Sequence, residues 1–188
     1  MRLANRNLLG KFLEERGLNN IGIEIGVATG NFSEVLLKVT KLQKIYFLDA
    51  WMHFPDDEYK DPCNASQKNQ DARYQSVIKR LSPYGDRVEI MRKDCREAVK
   101  DFADEYFDFI YIDANHEYSH IKRDLDDWYP KVKVGGVYAG HDYLTIANDK
   151  KPCGVKQAVN EFCQPRGLKL GTTGGTRRIP GSWFLVKE

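Results

Sequence analysis

Ile21-Gly22-Ile23-Glu24-Ile25-Gly26-Val27-Ala28-Thr29-Gly30 is the stretch that decides how this chain reads. It is an apolar strand carrying one acid and ending in glycines, and a helical pattern at 32–39 follows at once. Glycine at 26 and 30 lets the backbone turn sharply and lets a ligand approach main-chain atoms that a Cβ would shield. The unit is therefore a strand, loop and helix built for a nucleoside; the simpler alternative is a strand closed by a plain glycine turn.

The glycine spacing narrows the ligand. A dinucleotide site needs G-x-G-x-x-G, so that a pyrophosphate can sit on the helix N-terminus. Here the pattern is Glu24-x-Gly26-x-x-x-Gly30, and its carboxylate suits a cationic nucleoside without phosphate. S-adenosylmethionine fits, with its amino group near Glu24, its carboxylate on loop N–H groups and its sulfonium facing the cleft.

Composition bounds the rest. The 188 residues suit one domain with a three-layer core, and 41% apolar with 30% charged residues is an ordinary globular balance. A net charge of +2 gives no broad electrostatic footprint for nucleic acid. Apolar runs are too short for a membrane span, and residues 1–18 mix Arg, Lys and Glu with Leu and Phe at helical spacing, so an N-terminal helix is expected rather than a signal peptide. A cytoplasmic protein is the expectation. Cys63, Cys95, Cys153 and Cys163 show no C-x-x-C spacing, which argues against a zinc knuckle or a disulfide framework.

Apolar runs then alternate with helical patterns. Strands are predicted at 21–27, 44–50, 87–91, 107–114, 137–141, 168–171 and 182–186; helices are predicted at 31–40, 66–81, 95–103, 118–129 and 155–163. Such alternation implies right-handed crossovers and a mainly parallel sheet covered on both faces. No helix separates the last two strands, so they should be antiparallel neighbours.

With this ending and the opening motif, the whole chain resembles the class I S-adenosylmethionine-dependent methyltransferases. The resemblance implies a three-layer, Rossmann-like α/β fold with a seven-stranded mixed sheet, its last strand antiparallel, in a single domain over 1–188. The ligand should lie at the carboxyl ends of the strands. Asp49 closes the second strand, where the family's acid accepts both hydrogen bonds of the ribose diol. Asp94-Cys95 follows the third, where the family contacts adenine; Asp94 reads equally well as a helix N-cap. Trp51 either stacks on the adenine or covers the core edge.

The chemistry is expected in Asp108-Phe109-Ile110-Tyr111-Ile112-Asp113-Ala114-Asn115-His116 and in Val137-Tyr138-Ala139-Gly140-His141-Asp142-Tyr143. Both end on acids at adjacent strand ends, a geometry suited to a hard divalent cation that would acidify a substrate hydroxyl. This half resembles catechol O-methyltransferase and its relatives, including the sugar O-methyltransferases of macrolide biosynthesis. The resemblance makes Asp113 and Asp142 ligands for magnesium or manganese. Tyr143 stands where the catechol enzymes have asparagine, so His141 is the candidate third ligand. His116 occupies the place of their lysine base, and histidine suits that task near neutral pH. The alternatives are His116 as a helix cap, or His141 as the base with His116 on substrate. His120 reads as solvent-exposed.

The predicted site thus comprises His116, His141 and Asp142 as catalytic residues, Glu24, Gly26, Gly30, Asp49, Trp51, Asp94, Cys95 and Asp113 around the cofactor, and Asp113, His141 and Asp142 around the cation. Segments 51–65 and 144–154 should act as active-site loops, with 172–180 beside them. Trp51, His53, Phe54 and Tyr59 offer an aromatic platform, and Arg177-Arg178 a seat for an anion. Polar lids favour a small, hydroxyl-rich acceptor such as a glycosyl unit. Two rivals are an RNA or protein N-methyltransferase, which usually carries an Asn-Pro-Pro-Tyr-type loop after the fourth strand, and a nucleoside-binding protein without turnover. A homodimer is the commonest assembly for such a protein.

Overall fold

The computed structural model describes residues 1–55, 59, 63–144, 153–175 and 180–188. In chain order the elements are β1 (Arg2–Leu3), α1 (Leu9–Glu14), β2 (Ile21–Ile25), α2 (Asn31–Val39), β3 (Lys44–Asp49), α3 (Gln67–Leu81), β4 (Val88–Arg92), α4 (Cys95–Ala98), β5 (Phe107–Ile112), α5 (Tyr118–Trp128), β6 (Val132–Gly140), α6 (Val155–Cys163), β7 (Gly171–Thr173) and β8 (Trp183–Val186). They form one sheet ordered β1-β7-β8-β6-β5-β2-β3-β4. β2 to β6 pair in parallel, and β8 runs antiparallel to both β6 and β7. The expected mixed sheet with an antiparallel last strand is present.

Alternation along the strands sorts side chains into two cores. Ile23, Ile25, Ile110 and Ile112 face one, with α5 and α6 packed on it through Ile121, Leu125, Val159 and Phe162. Ile45, Phe47, Phe109 and Tyr111 face the other, covered by Leu9, Phe12, Leu36 and Val77 from helices α1 to α3. β5 is buried at all six positions, as expected for a central parallel strand with helices on both faces. Its one charge, Asp108, accepts from the Asn20 amide at 2.8 Å and from Lys133 Nζ at 2.6 Å, so it is buried with partners rather than alone.

Three differences from the sequence reading have physical causes. Helical spacing predicts a single helix at the N-terminus; instead Arg2–Leu3 adds an eighth strand by pairing with β7, and a turn at Arg6–Leu8, capped by Asn5, precedes α1. Two residues carry no strand periodicity, so only the distant partner reveals them. β6 begins at Val132, ahead of Gly135-Gly136, because a register shift against Phe107 and Phe109 takes up the extra residues. β7 lies at Gly171–Thr173 and not 168–171, since its register is set by pairing to β8 (Gly171↔Phe184) and to β1. Among the described residues, no helix is long and apolar enough to cross a membrane.

Candidate active site

The carboxyl ends of β2, β3, β4, β5 and β6 open on a cavity of about 440 Å³. Its floor is the glycine loop. Gly26 has φ +92° and Gly30 has φ +75°, where Gly30 serves as N-cap of α2. Among the described residues, four that are not glycine also take positive φ; Ala28 and Asp142 line this cavity, and Trp51 packs beneath its loop. Backbone held in that region is sterically costly and persists where the surroundings over-determine it.

Glu24 lies under the loop, 1% exposed, and its Oε2 accepts from the Ser33 hydroxyl. Burial holds its carboxyl well above the ordinary carboxylate range, against the Ser33 bond that lowers it. A raised pKa in the fold means the native state keeps a proton that the unfolded chain has released, so stability falls as pH rises from the unfolded value toward the folded one. Glu24→Gln keeps an acceptor for Ser33 and removes this titration. The variant's melting temperature relative to wild type is therefore expected to increase between pH 5 and pH 8; a constant difference across that range would contradict the assignment.

Asp49 has a different first task from the one expected. Its Oδ2 accepts from the amides of Val27 at 2.9 Å and Ala28 at 2.8 Å, and its Oδ1 accepts from the Trp51 amide at 2.8 Å. A carboxylate has about four acceptor sites, so roughly one remains for a sugar hydroxyl, not the two that a diol would use. The acid ties β2 to β3 and shapes the loop. For Trp51 the structure gives the second of its two readings, cover for the core edge. It is 1% exposed, donates Nε1–H to the Ala28 carbonyl at 2.9 Å and packs on Tyr74 at 4.9 Å, so it supports the loop from beneath and does not stack in the cavity. Phe54 and Tyr59 do line the cavity, with ring centroids 6.1 Å apart, whereas His53 is exposed. Of the four-residue platform, two members are at the site.

Beyond β4, Asp94 caps α4 by accepting from the Arg96 amide at 2.9 Å and pairs with the Arg96 guanidinium. That pairing holds its carboxyl below the usual range against partial burial. Cys95 lines the cavity beside Asp124, and burial raises its thiol above the ordinary range. Burial pushes Asp124 up to about 6, against the pull of Arg123. His120, expected on the solvent side, also lines the cavity, and burial lowers its pKa.

The predicted chemistry is drawn together at the ends of β5 and β6. His116 Nε2 lies 2.9 Å from Asp142 Oδ2 and 3.3 Å from Asp113 Oδ1, bridging the two acids. His141 Nδ1 is 3.6 Å from Asp142 and 3.7 Å from Asp113. Although burial opposes it, the two histidines beside it hold the Asp142 carboxyl well below the ordinary range. His116 is not a helix cap: Glu117 occupies the N-cap of α5, and the Asn115 side chain takes the Glu117 amide.

Asp113, His141 and Asp142 each offer a ligand atom, all within 4.8 Å of one another. The buried His141 Nε2 has no hydrogen-bond partner among the described residues. Two carboxylates and an imidazole fit a divalent cation, manganese better than magnesium because of the nitrogen. Tyr143 turns away to donate to Asn160 Oδ1 at 2.7 Å, so it leaves His141 as the third candidate.

Arg6 gives no sign of itself in the sequence. It enters the cavity from the turn before α1, 3.9 Å above the Phe32 ring and 3.9 Å from Asp113 Oδ2. Nothing near position 6 signals this, because the contact is made by folding the N-terminus onto β7. The segment 145–152 and Arg177-Arg178 lie outside the described residues.

A parallel sheet with an antiparallel last strand, a glycine loop after β2 and acids at the ends of β3, β5 and β6 define a class I methyltransferase. The chain belongs to the methyltransferase domain family, whose profile matches residues 23–143. Among solved structures, the O-methyltransferase NovP is 17% identical, with 97% of this chain and 78% of that one covered at a TM-score of 0.69. TomG of Streptomyces achromogenes, an O-methyltransferase of tomaymycin synthesis solved with S-adenosylmethionine, is 18% identical, with 97% and 79% covered at a TM-score of 0.65. The protein y4gI of Sinorhizobium fredii, itself described as uncharacterized, is 30% identical over 69 residues, which is 37% of this chain but 8% of that protein's length.

Proposed function

We propose that the protein is an S-adenosylmethionine-dependent O-methyltransferase that acts on a hydroxyl of a small molecule or glycosyl unit. One observation carries this reading: His116 is bridged by Asp113 and Asp142 at the cavity onto which the glycine loop opens. The two carboxylates orient the His116 ring and stabilise the imidazolium that forms when it takes a proton. As His116 takes the acceptor's hydroxyl proton, the oxygen forms its bond to the donor's methyl carbon and the carbon–sulfur bond breaks. The sulfonium's positive charge is lost with the departing thioether. The methyl group is already activated, so the protein supplies position, a base and a water-poor cleft. A divalent cation on Asp113, His141 and Asp142 would acidify the hydroxyl when bound.

The Phe54–Tyr59 pair at the cavity supports a sugar ring, which presents both hydroxyls and a C–H face for aromatic contact. The run Asp113-Ala114-Asn115-His116 offers a base where an N-methyltransferase would hold a planar nitrogen.

The test is methyl-labelled donor incubated with the protein and, separately, glycosides, catechols, a peptide pool and RNA. Label in a hydroxyl-bearing small molecule, with release of S-adenosylhomocysteine, is expected; label confined to RNA or peptide would replace this reading. Dialysis against EDTA is expected to cut turnover about 10-fold or more, with recovery on adding Mn²⁺. Undiminished turnover after chelation would leave His116 and its acids as the whole proton-handling apparatus.

A further inference from the structure

We propose that Arg6 is the seat for the α-carboxylate of the methyl donor, a cofactor-binding role supplied by the N-terminal segment; this rests on the protein using S-adenosylmethionine. The argument begins with hydrogen-bond accounting at the glycine loop. Its N–H groups are the usual place for a ligand carboxylate beside a strand-loop-helix unit. Here the Gly26 amide donates to the Leu48 carbonyl at 2.8 Å, those of Val27 and Ala28 donate to Asp49, and that of Gly30 donates to the Val27 carbonyl at 2.9 Å. Four of the loop's donors are spent inside the protein, so a side-chain cation beside the loop adds what these amides cannot give a carboxylate.

Arg6 supplies it. Its guanidinium has five N–H donors in a planar fork that matches a carboxylate. Among the described residues its polar contacts are at the long limit, 3.5 Å to the Tyr111 hydroxyl and 3.9 Å to Asp113 Oδ2. Both Arg6 and Phe32, over which it stacks at 3.9 Å, line the cavity beside Glu24 and Gly26. A cation and an anion side by side, Arg6 and Asp113, complement the two ends of an amino-acid zwitterion. The ammonium goes to Asp113 and the carboxylate to Arg6. The fork is also held in place: β1 pairs with β7 (Arg2↔Thr172, Leu3↔Thr173), the Gly174 amide donates to the Leu3 carbonyl at 2.8 Å, and Asn5 caps the turn that carries Arg6. Less conformational entropy is then lost on binding. The added eighth strand thereby acquires a purpose.

Calorimetry on wild type and Arg6→Met, with S-adenosylhomocysteine and its decarboxylated analogue, forms a closed cycle. Wild type is expected to lose about 10–100-fold in affinity when the carboxylate is removed, as for hydrogen bonds to a charged group. Arg6→Met should bind S-adenosylhomocysteine weaker by a similar factor and bind the two ligands within about twofold of each other. Arg6→Lys should recover part of the difference, since it restores charge without the fork. Undiminished carboxylate discrimination in Arg6→Met would overturn the proposal, as would equal affinity of wild type for the two ligands. That last comparison uses the unaltered protein and holds even where a variant misfolds. Failure of wild type to bind S-adenosylhomocysteine at all would instead overturn the cofactor reading, and this proposal with it.

Discussion

Replacing His116 with alanine is expected to lower turnover by about 10²–10⁴-fold, the range contributed by a positioned general base. Affinity for S-adenosylhomocysteine should stay within about threefold, because loop and sheet ends that form the nucleoside cavity are held by other bonds: Asp49 on the loop amides and Asp94 on α4. The imidazole is the group that bridges Asp113 and Asp142, at 3.3 and 2.9 Å, so its removal deprives the acids of their shared donor without touching the adenosine end. Steady-state rates with a fixed acceptor, together with calorimetry, separate the two quantities. Turnover unchanged in this variant would assign the base to His141 or to the acids themselves. Equal loss of turnover and cofactor affinity would show that His116 is a structural clasp.

Gly26→Ala should damage fold and site together. The residue sits at φ +92°, where a Cβ is strained, and an added methyl would overlap the backbone carbonyl of Asp113 across the β2–β5 edge. The neighbour is backbone and cannot rotate away. We expect a loss of about 3 kcal/mol or more, the range of a strained backbone combined with a packing conflict. For a chain of this size that lowers the melting temperature by roughly 6–12 °C. Relief would push Asp113 away from His116, so turnover should fall with stability. A variant with wild-type melting behaviour and intact cofactor binding would show that the loop relaxes without moving β5, and that the contact between Gly26 and the Asp113 backbone is not a tight constraint.

The positions of the glycine loop and of the acids after β5 and β6 were legible because each lies at a change of local pattern. Gly26 and Gly30 interrupt an apolar run, and Asp113 and Asp142 each close one. Asp49 and Trp51 were legible as positions too, but not the contacts they make. The sequence places an acid after β3, yet only folding reveals that the Val27, Ala28 and Trp51 amides reach it first. His120 and Asp124 point toward the cavity because α5 packs at a particular rotation against α4 and the sheet, and polar helix positions give no sign of that.

By itself, then, the sequence determined the alternation of strands and helices, the antiparallel ending and the candidate chemistry, because these depend on side-chain period and on residue types next to one another in the chain. Tertiary structure alone decided the eighth strand, the registers of β6 and β7, which hydrogen bonds Asp49 makes, and the arrival of Arg6 over Phe32. Each is a pairing between residues far apart in sequence, whose free energy exists only once the partner is in place and so leaves no local pattern to read.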